Sequence, residues 1–514
     1  MKKLTGLVVI LAALVLGSFY GMGYLTERKV KEDLNIVNQT NGLSAEIEKY
    51  KRGWFTSDAT IKWKLHVPEH AVTSADGQSK TVSSEDYQME MPLTIHHGPI
   101  ILADKGVKLG LGYAHTDIAL PPKFVEQFND TFSNESTQPK LGLSLFVGYL
   151  NNSTIDVSVP AFKLIARQGN GQLDWLGMTS ATNVSSHMDK VDGNITIDGL
   201  RIAKDQIKTV MSAVTSEYNL RKSDSGLYIG DASLSFPSLI VTNNDKKIFE
   251  LRQADLHSDT NIEDGLFGSH FKSSVEKVFI NDKTYGPGSF EMALRNLDAD
   301  VLARINEQMN QAQQGSDVER QKVLLAVLPE LPKLFSKGPE FEITEMNFVM
   351  PEGTVEGNLL ISLPKTDAGN PFELIQKIQG KGKLKVPAVV LKNIVRESIK
   401  QKLMAPQATP QSIQQGIVQQ MQQQAGQAAN PSANNTNGSN QPATPAAAMP
   451  PAPAPNPAEI AQQAEGLADK QLASMVQSGI LAMQGNEYVV EVNLNQGQLT
   501  VNGKPFSPAM LKFQ

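Results

Sequence analysis

The chain has 514 residues, of which 40% are hydrophobic, 19% charged and 6% aromatic, and it contains no cysteine. This length suffices for two ordinary domains or for one long β-rich domain with appendages. The lack of cysteine excludes disulfides, thiolate metal sites, iron–sulfur clusters, a cysteine nucleophile and a lipoprotein anchor. A formal net charge of −6 offers no field of Lys and Arg for phosphate groups, so nucleic acid is not an expected partner.

An uncharged apolar run occupies residues 4–25, between two lysines and the charged residues that begin at Glu27. A helix of that length, rising about 1.5 Å per residue, spans the ~30 Å hydrocarbon core of a bilayer. The run therefore predicts a transmembrane helix, and the flanking charges do not decide its orientation. The alternatives are a signal peptide cleaved between Gly17 and Ser18 and a buried helix of a soluble protein. No second apolar run of about 18 residues follows, so the bulk of the chain is expected to lie on one side of the membrane.

Short alternating segments punctuated by Gly, Asn and Asp fill residues 43–295 and predict β-strands. From Ala59 to Val67, for example, apolar residues occupy every second position and share one face of a strand. Tight turns are predicted at Asp192-Gly193 and Asp198-Gly199, because these residue types tolerate positive φ. Further strands are predicted at residues 141–147, 154–159, 227–236, 238–242, 248–251 and 277–280.

Helical spacing of apolar residues follows this strand-rich part. A helical hairpin is expected near residues 298–335, with Asp298 as an N-cap and with a capping box from Ser316 to Glu319. Strand patterns resume at residues 341–349 and 355–363, and a helix is predicted over residues 387–403. Strands that are joined by tight turns pair antiparallel. The predicted fold class is therefore α+β and mainly β, with extended antiparallel β-meander sheets and packed helices, in a body of residues 26–402.

Residues 403–457 form an uncharged tract rich in Gln, Pro and Ala. It contains almost nothing that could be buried to offset the entropy of ordering, so a largely disordered linker is expected. Residues 458–514 then predict a helix over residues 458–481 and a β-hairpin that docks on the body. The turn of the hairpin is placed at residues 495–497.

Two histidine motifs resemble metal sites. The string from His66 to His70 matches H-x-x-E-H, but this motif needs a helix, whereas the preceding pattern is that of a strand and Pro68 lies inside it. His96 and His97 are adjacent, so on a strand their imidazoles would point to opposite faces. Both motifs are interpreted as structural, and neither a metal nor a cofactor is expected.

Other motifs give no catalytic set. Residues 380–383 and 169–171 are glycine-rich but lack the spacing of phosphate-binding loops, and both are predicted to be turns. The carboxylates are dispersed, so spacing alone assigns no acid and base. Trp54, Phe55 and Trp63 are expected in the core, and a sugar or lipid platform is the alternative.

With these segments placed, the chain resembles the YdgA-like family of bacterial envelope proteins of unknown function. The resemblance covers most of the chain, and the uncharged tract stands out as an insertion. It rests on the N-terminal span with a charged helix after it, on an R-G-x-F-x-S motif, on an H-G-P motif and on a terminal glycine-flanked strand. The matching signature residues, interpreted as structural, are Arg52, Gly53, Phe55, Ser57, His97, Gly98, Pro99, Gly497, Asn502 and Gly503.

The resemblance implies an inner-membrane protein with residues 1–3 as a cytoplasmic stub, the body in the periplasm, and a possible homodimer. It brings no catalytic residues. The signature residues are expected to have bulk roles: a turn at Gly98-Pro99, an ion pair for Arg52 and a core position for Phe55.

Three functions remain open at this point. The first hypothesis is a non-enzymatic scaffold or assembly role in the envelope. The alternative is binding or transfer of lipid or another apolar ligand along a curved sheet, because a sheet with one apolar face must cover it. The second alternative, a hydrolase of envelope polymers, would require converging carboxylates or a Ser–His pair in a cleft. We expect that the protein is not an enzyme.

Overall fold

The structure is a computed structural model that describes residues 17–28, 30–31, 34, 38, 43–67, 70–73, 79–82, 85–103, 106–313, 323, 325–366, 371–404 and 457–506. The chain forms two compact units, one drawn from Met1–Leu384 and Glu491–Thr500 and the other from Lys385–Val490 and Val501–Gln514. Residues 4–16 of the predicted span, the predicted capping box at Ser316 and most of the predicted linker lie outside the described residues. Among the helices that are described, none has the length and apolar character needed to cross a bilayer.

The described strands are β1 (Leu43–Arg52), β2 (Thr56–Val67), β3 (His70–Thr73), β4 (Ser79–Val82), β5 (Glu85–His97), β6 (Ile101–Ala103), β7 (Gly106–Lys108), β8 (Gly112–Ala119), β9 (Lys140–Val147), β10 (Ser153–Val159), β11 (Phe162–Ile165), β12 (Gln172–Val184), β13 (Lys190–Lys204), β14 (Ile207–Met211), β15 (Val214–Lys222), β16 (Tyr228–Asn243), β17 (Lys246–Glu263), β18 (Leu266–Ile280), β19 (Lys283–Tyr285), β20 (Gly288–Asp298), β21 (Glu340–Met350), β22 (Gly353–Ser362), β23 (Gln379–Pro387), β24 (Ala482–Gln484), β25 (Glu487–Asn495), β26 (Gln498–Val501) and β27 (Lys504–Pro505). The described helices are α1 (residues 17–28), α2 (Pro122–Thr131), α3 (Ala299–Gln313), α4 (Leu331–Leu334), α5 (Pro371–Lys377), α6 (Ala388–Met404) and α7 (Pro457–Ser478), with a 3-10 turn at Leu328–Glu330.

Strands of the first unit build one long antiparallel sheet, which confirms the mainly β, antiparallel fold class. Neighbouring strands in this sheet follow each other closely along the chain, in the order β1, β2, β5, β8, β9, β10, β12, β13, β15, β16, β17, β18, β20, β21 and β22. The short strands attach to it, β11 on β12, β14 on both β13 and β16, and β19 on β18.

The sheet has one apolar and one polar face, because side chains alternate along a strand and directly paired residues share a face. One row of paired residues reads Val157, Ser180, Ile195, Ser216, Leu234, Leu256, Ser273 and Phe290. The adjacent row, one residue away on every strand, reads Asp156, Ala181, Asn194, Glu217, Ser233, His257, Lys272 and Glu291. We call the side that carries Leu234 and Leu256 the apolar face.

Hydrophobic cores form at two places on the apolar face. Near the N-terminus, Leu34 packs with Ala45, Ile61 and Met91, and Trp63 lies against this cluster as predicted. Farther along the sheet, Leu297 of β20 packs with residues of α3 and α4. The backbone N–H of Val301 donates to Asp298 Oδ1 at 3.0 Å, so Asp298 caps α3 as the sequence predicts.

Between these two cores, the described strands of the sheet have few buried residues. From residue 149 to residue 226, all of which the structure describes, the only buried residues are Gly177 and Gly199. From residue 230 to residue 287, also fully described, the only buried residue is Glu250. Apart from Ile229 at the start of β16, which is 1% exposed, the apolar side chains of β10 to β17 are therefore half-exposed or exposed rather than packed in a core.

Two predicted Asp-Gly turns are wrong, because β13 continues through both of them. A Cβ on Gly193 would lie 2.5 Å from the Ala181 carbonyl and 2.6 Å from Tyr218 Oη, so glycine here admits close neighbours within the sheet. Gly199 has a φ of +129° and pairs with Gly177, where the register between β12 and β13 shifts. These glycines serve a β-bulge rather than a chain reversal.

Other predicted elements are displaced or merged. The segments 227–236 and 238–242 are one strand, β16, and the segments 248–251 and 277–280 are parts of β17 and β18. The turn predicted at residues 380–383 is wrong, since β23 runs through it. A Cβ on Gly382 would lie 2.9 Å from Leu359 Cδ1, so this glycine allows two strands to approach closely.

The second unit pairs α6 with α7. Lys392 Nζ lies 2.7 Å from both Glu465 Oε1 and Asp469 Oδ1, and Arg396 Nη1 lies 3.4 Å from Glu465 Oε2. Hydrogen bonds to these carboxylates raise the pKa of Lys392, which keeps the cation charged between the two helices.

Candidate functional site

The signature residues between Arg52 and Pro99 meet where α1 packs on the sheet. The connection from β1 to β2, the end of β5 and the start of β8 lie side by side, because Thr56 pairs with His96 and Gly112 pairs with His97. Helix α1 crosses these strand ends on the apolar face. We call this group of contacts the α1 site.

A buried Ser–His pair lies at the centre of the α1 site. Ser57 Oγ is 3.1 Å from His97 Nε2, and both residues are only 1% exposed. His97 Nδ1 lies 3.2 Å from the carbonyl oxygen of Phe19 in α1. A carbonyl can only accept, so Nδ1 carries the proton and a neutral ring accepts from the Ser57 hydroxyl at Nε2. Burial lowers the pKa of His97, and the nearby Arg52 charge acts in the same direction, which favours this neutral form.

Glycines bring α1 close to this pair. A Cβ on Gly23 would lie 2.5 Å from His97 Cε1, whereas a Cβ on Gly21 would meet nothing within 4 Å. Gly98 has a φ of +130°, and a Cβ there would lie 1.9 Å from the Phe19 ring. Both Gly23 and Gly98 are therefore required by close contact between the helix and the strand ends.

Arg52 binds two residues of α1 through its guanidinium group. Its Nη1 lies 3.2 Å from Glu27 Oε2, and its Nη2 donates to Tyr20 Oη at 3.2 Å. The guanidinium carbon also lies 4.9 Å from the ring centroid of Tyr20 and 5.5 Å from that of Tyr24. The expected ion pair of Arg52 is thus with a residue of α1, supplemented by cation–π contacts.

Trp54 and Phe55 are not core residues, contrary to the prediction. They are 58% and 50% exposed, because they lie in the tight connection between β1 and β2, where the Gly53 N–H donates to the Thr56 carbonyl at 2.9 Å. Each contacts an aromatic ring of α1: Phe55 lies 4.9 Å from Phe19, and Trp54 lies 5.3 Å from Tyr20, between ring centroids.

The C-terminal signature residues have separate roles. Gly497 has a φ of +75° in the turn between β25 and β26. In the second unit, Asn502 Nδ2 donates to the carbonyls of Gly479 and Ile480 at 3.0 and 2.9 Å, directly after the end of α7. Gly503 has a φ of +76° and provides the turn that follows Asn502.

The contacts of the α1 site hold α1 against the strand ends. A Ser–His pair is the core of a nucleophilic site, but here the base is oriented by a carbonyl of α1 and both side chains are shielded from solvent. Pro99 belongs to the same group of contacts, since its carbonyl accepts a short hydrogen bond from the Tyr149 hydroxyl. The arrangement positions α1 on the sheet.

The metal-like motifs have other partners. His66 Nδ1 lies 2.6 Å from Asp86 Oδ1 on the paired strand β5, and β2 ends at Val67 inside the H-x-x-E-H string. Glu69 of that string lies outside the described residues. His96 and His97 point to opposite faces as predicted, and within the described part of the chain no three His, Asp or Glu side chains are placed to hold a metal ion.

Sequence analysis did not predict two features of the structure. One is the set of contacts made by α1. The other is the part of the apolar face on β10 to β17 where few residues are buried, which we call the uncovered stretch. Phe19, Tyr20 and Gly23 lie inside the apolar run that was predicted as a whole to contact lipid, so their contacts with the sheet and with Trp54 correct that prediction for this part of the run. The uncovered stretch has a sequence signal, which is the alternation from Ala232 to Phe236 in β16, but no sequence signal shows that the described helices leave it uncovered.

Comparison with curated proteins gives no match to this chain. A family of bacterial proteins of unknown function, DUF945, matches residues 1–509. The chain therefore belongs to the DUF945 family of bacterial proteins of unknown function.

Proposed function

We propose that the protein is a non-enzymatic, membrane-anchored protein of the bacterial envelope that binds lipid acyl chains on the apolar face of its sheet. The anchor lies in the apolar run predicted at residues 4–25, whose residues from Gly17 onward pack on the sheet as α1, and the body lies in the periplasm, as the YdgA-like resemblance implies. The proposal is supported most by the uncovered stretch of the apolar face between the two cores.

The uncovered stretch exposes aliphatic side chains in register. Leu234 and Leu256 are direct cross-strand partners, and Leu256 is 40% exposed. Ile155 on β10 is 39% exposed on the same face. Soluble proteins seldom leave contiguous apolar surfaces of this kind without a ligand or partner to cover them.

The dimensions of the uncovered stretch suit an extended apolar ligand. The strands β10, β12, β13, β15, β16, β17 and β18 follow each other in the sheet. At about 4.8 Å between neighbours, they cover roughly 30 Å. The N-terminal core, in which Leu34 packs on the sheet, adjoins one end of this stretch on the same face.

Photocrosslinking in cells tests this proposal. A benzophenone amino acid is placed at Leu234 or Leu256, on the apolar face, and at the neighbouring Ser233 or Asp255, on the polar face. We expect a phospholipid adduct on the protein at the first two positions and none at the matched controls. The adduct is identified by mass spectrometry of the purified protein.

Two results would count against acyl-chain binding. Equal lipid adducts at Ser233 and Leu234 would indicate non-specific membrane proximity. Adducts of Leu234 and Leu256 with protein alone would favour the scaffold or assembly role, in which a partner chain or a second copy covers the apolar face.

A further inference from the structure

The direction of α1 shows at which end of the sheet this helix begins. Phe19 contacts Phe55 and Gly98 at the strand ends. Farther along the chain, Leu34 packs with Met91, which lies six residues before His97 on β5, or about 20 Å along the strand. The described chain therefore begins, at Gly17, beside the strand ends at which the α1 site lies, and runs away from them along the sheet.

Three connections project from this same end of the sheet. They are residues 53–55, 98–111 and 148–152, which join strands whose ends are in register: His97 pairs with Gly112, and Gly112 pairs with Val147. The Tyr149 hydroxyl donates to the Pro99 carbonyl, so the second and third connections touch.

The described parts of these connections carry exposed apolar side chains. Their large side chains, each between 50% and 85% exposed, form what we call the loop-tip patch: Trp54, Ile100, Leu102, Val107, Leu109 and Leu150. Among the described residues of the three connections, Lys108 is the only charged one, while Asp104 and Lys105 lie outside them. Lys108 Nζ lies 5.0 Å from the Phe146 ring centroid, toward the sheet.

We infer that the loop-tip patch inserts into the interface of the bilayer that holds the N-terminal segment. This inference rests on the proposed membrane anchor. Three observations point to lipid as the occupant. Helix α1 begins beside this patch, where Phe19 contacts Phe55 and Gly98. The exposed side chains are aliphatic and aromatic, and the basic groups Arg52 and Lys108 contact aromatic rings next to them. Aromatic and basic residues at this depth are typical of membrane interfaces. The insertion would hold the end of the sheet that carries the three connections against the membrane, and would fix the angle between the strands and the membrane plane.

The absence of cysteine makes a depth measurement direct. Single cysteines are introduced as Leu102→Cys and Leu150→Cys, labelled with an environment-sensitive fluorophore, and the full-length protein is reconstituted in phosphatidylethanolamine and phosphatidylglycerol vesicles. A fraction of the lipid carries a nitroxide on its acyl chain. We expect a blue shift and several-fold stronger quenching at both positions than at the control.

The matched control is Ile207→Cys, an exposed apolar position, 47% exposed, at the opposite end of β13 from these connections. Vesicles are first floated on a density gradient. Protein that does not float overturns both the anchor and the inference that rests on it. Protein that floats but shows control-level quenching at residues 102 and 150 overturns the loop-tip contact alone. Iodide, a water-soluble quencher, is added as a second probe. A fluorophore at residue 102 or 150 that is protected from iodide but not quenched by the lipid nitroxide also overturns the loop-tip contact and indicates a protein partner.

Discussion

His97 couples the packing of α1 to pH. Because burial lowers its pKa, the folded chain keeps the ring neutral at pH values where the unfolded chain, with a pKa of about 6.5, takes up a proton. The stability that this residue contributes is therefore present above pH ~6.5 and is lost as the pH falls through the lowered pKa. We expect the thermal midpoint of the full-length protein to fall on acidification from about pH 7.5 to about pH 5.5, and to fall less in His97→Asn.

His270 provides a control of opposite sign. Its ring nitrogens lie 2.9 Å from Glu291 Oε1 and 3.0 Å from Asp259 Oδ2, and the hydrogen bond to Glu291 is the main cause of its raised pKa. Its stabilisation is present below pH ~6.5 and is lost as the pH rises through the raised pKa. His270→Asn should therefore make the fall on acidification steeper. An unchanged slope in His97→Asn would contradict the assigned role of the buried ring.

Glu250 makes the long strands sensitive to acid. Lys247 Nζ and Lys277 Nζ each lie 2.6 Å from Glu250 Oε2, and these hydrogen bonds lower its pKa to about 2. Its contribution is present above pH ~4.5 and is lost as the pH falls toward 2. We expect Glu250→Gln to cost about 1–2 kcal/mol at neutral pH, because the two lysines remain partly solvated.

Urea unfolding at neutral pH and near pH 3 measures this effect. The difference between wild type and Glu250→Gln should shrink at the lower pH. Glu217→Gln, on an exposed position of the polar face, is the control and should leave stability unchanged at both pH values. A constant difference for Glu250→Gln would show that the carboxylate charge is not what stabilises these strands.

At single positions, sequence reasoning reached the motifs but not their partners. The short strings around Ser57 and His97 stand out because they match the R-G-x-F-x-S and H-G-P motifs of the family that the chain resembles. Phe19 and Gly23 do not stand out, since a helix that contacts protein and a helix that contacts lipid have the same hydropathy. Phe55 was misplaced because its size indicates burial, whereas the tight turn at Gly53 carries it off the sheet.

At the scale of elements, the docking of α1 depends on Gly23, which lies on the side of the helix that contacts His97. Gly23→Ala would place a Cβ 2.5 Å from His97, whereas Gly21→Ala on the same helix meets nothing within 4 Å. Alanine favours a helix by about 1 kcal/mol over glycine, so both changes gain the same helix propensity. We expect Gly21→Ala to be neutral or stabilising and Gly23→Ala to destabilise the full-length protein.

The readout for this pair is the thermal midpoint together with tryptophan fluorescence, since Trp54 contacts Tyr20 of α1. Gly23→Ala should change the Trp54 emission and Gly21→Ala should not. Equal behaviour of the two variants would mean that α1 does not lie against His97 in solution.

Elements whose apolar residues have one regular spacing were predicted well. Segments whose sequence fits both a strand and a turn were not. The helices at 387–403 and 458–481 match α6 and α7 closely, because their apolar stripes have one spacing. The strand β16 was divided at Pro237, because proline is rare inside a strand, and β17 was cut short, because polar residues on its solvated face look like breaks. Asp-Gly at residues 192–193 has the composition of a turn, and only the neighbouring Tyr218 side chain explains why glycine lies in mid-strand.

At the scale of the whole first unit, stability is concentrated at its two cores. Strands β2 and β5 have buried side chains such as Ile61 and Met91, whereas residues 149–226 bury only two glycines. Regions with few buried contacts open more readily than the core in native-state hydrogen exchange. A ligand that binds only the folded sheet would stabilise the strands it covers.

Hydrogen exchange followed by mass spectrometry should therefore show two classes of amide exchange rate in the sheet. In lipid-depleted full-length protein, we expect amides of β13 to β17 to exchange about tenfold faster than those of β2 and β5, which corresponds to ~1.4 kcal/mol of local opening free energy. Added long-chain phospholipid should protect β13 to β17 and leave β2 and β5 unchanged. A variant with Leu234→Asn and Leu256→Asn keeps the polar face and removes two apolar contacts, so it should lose this protection. If lipid protected the variant as well as the wild type, the apolar face would not be the surface that binds it.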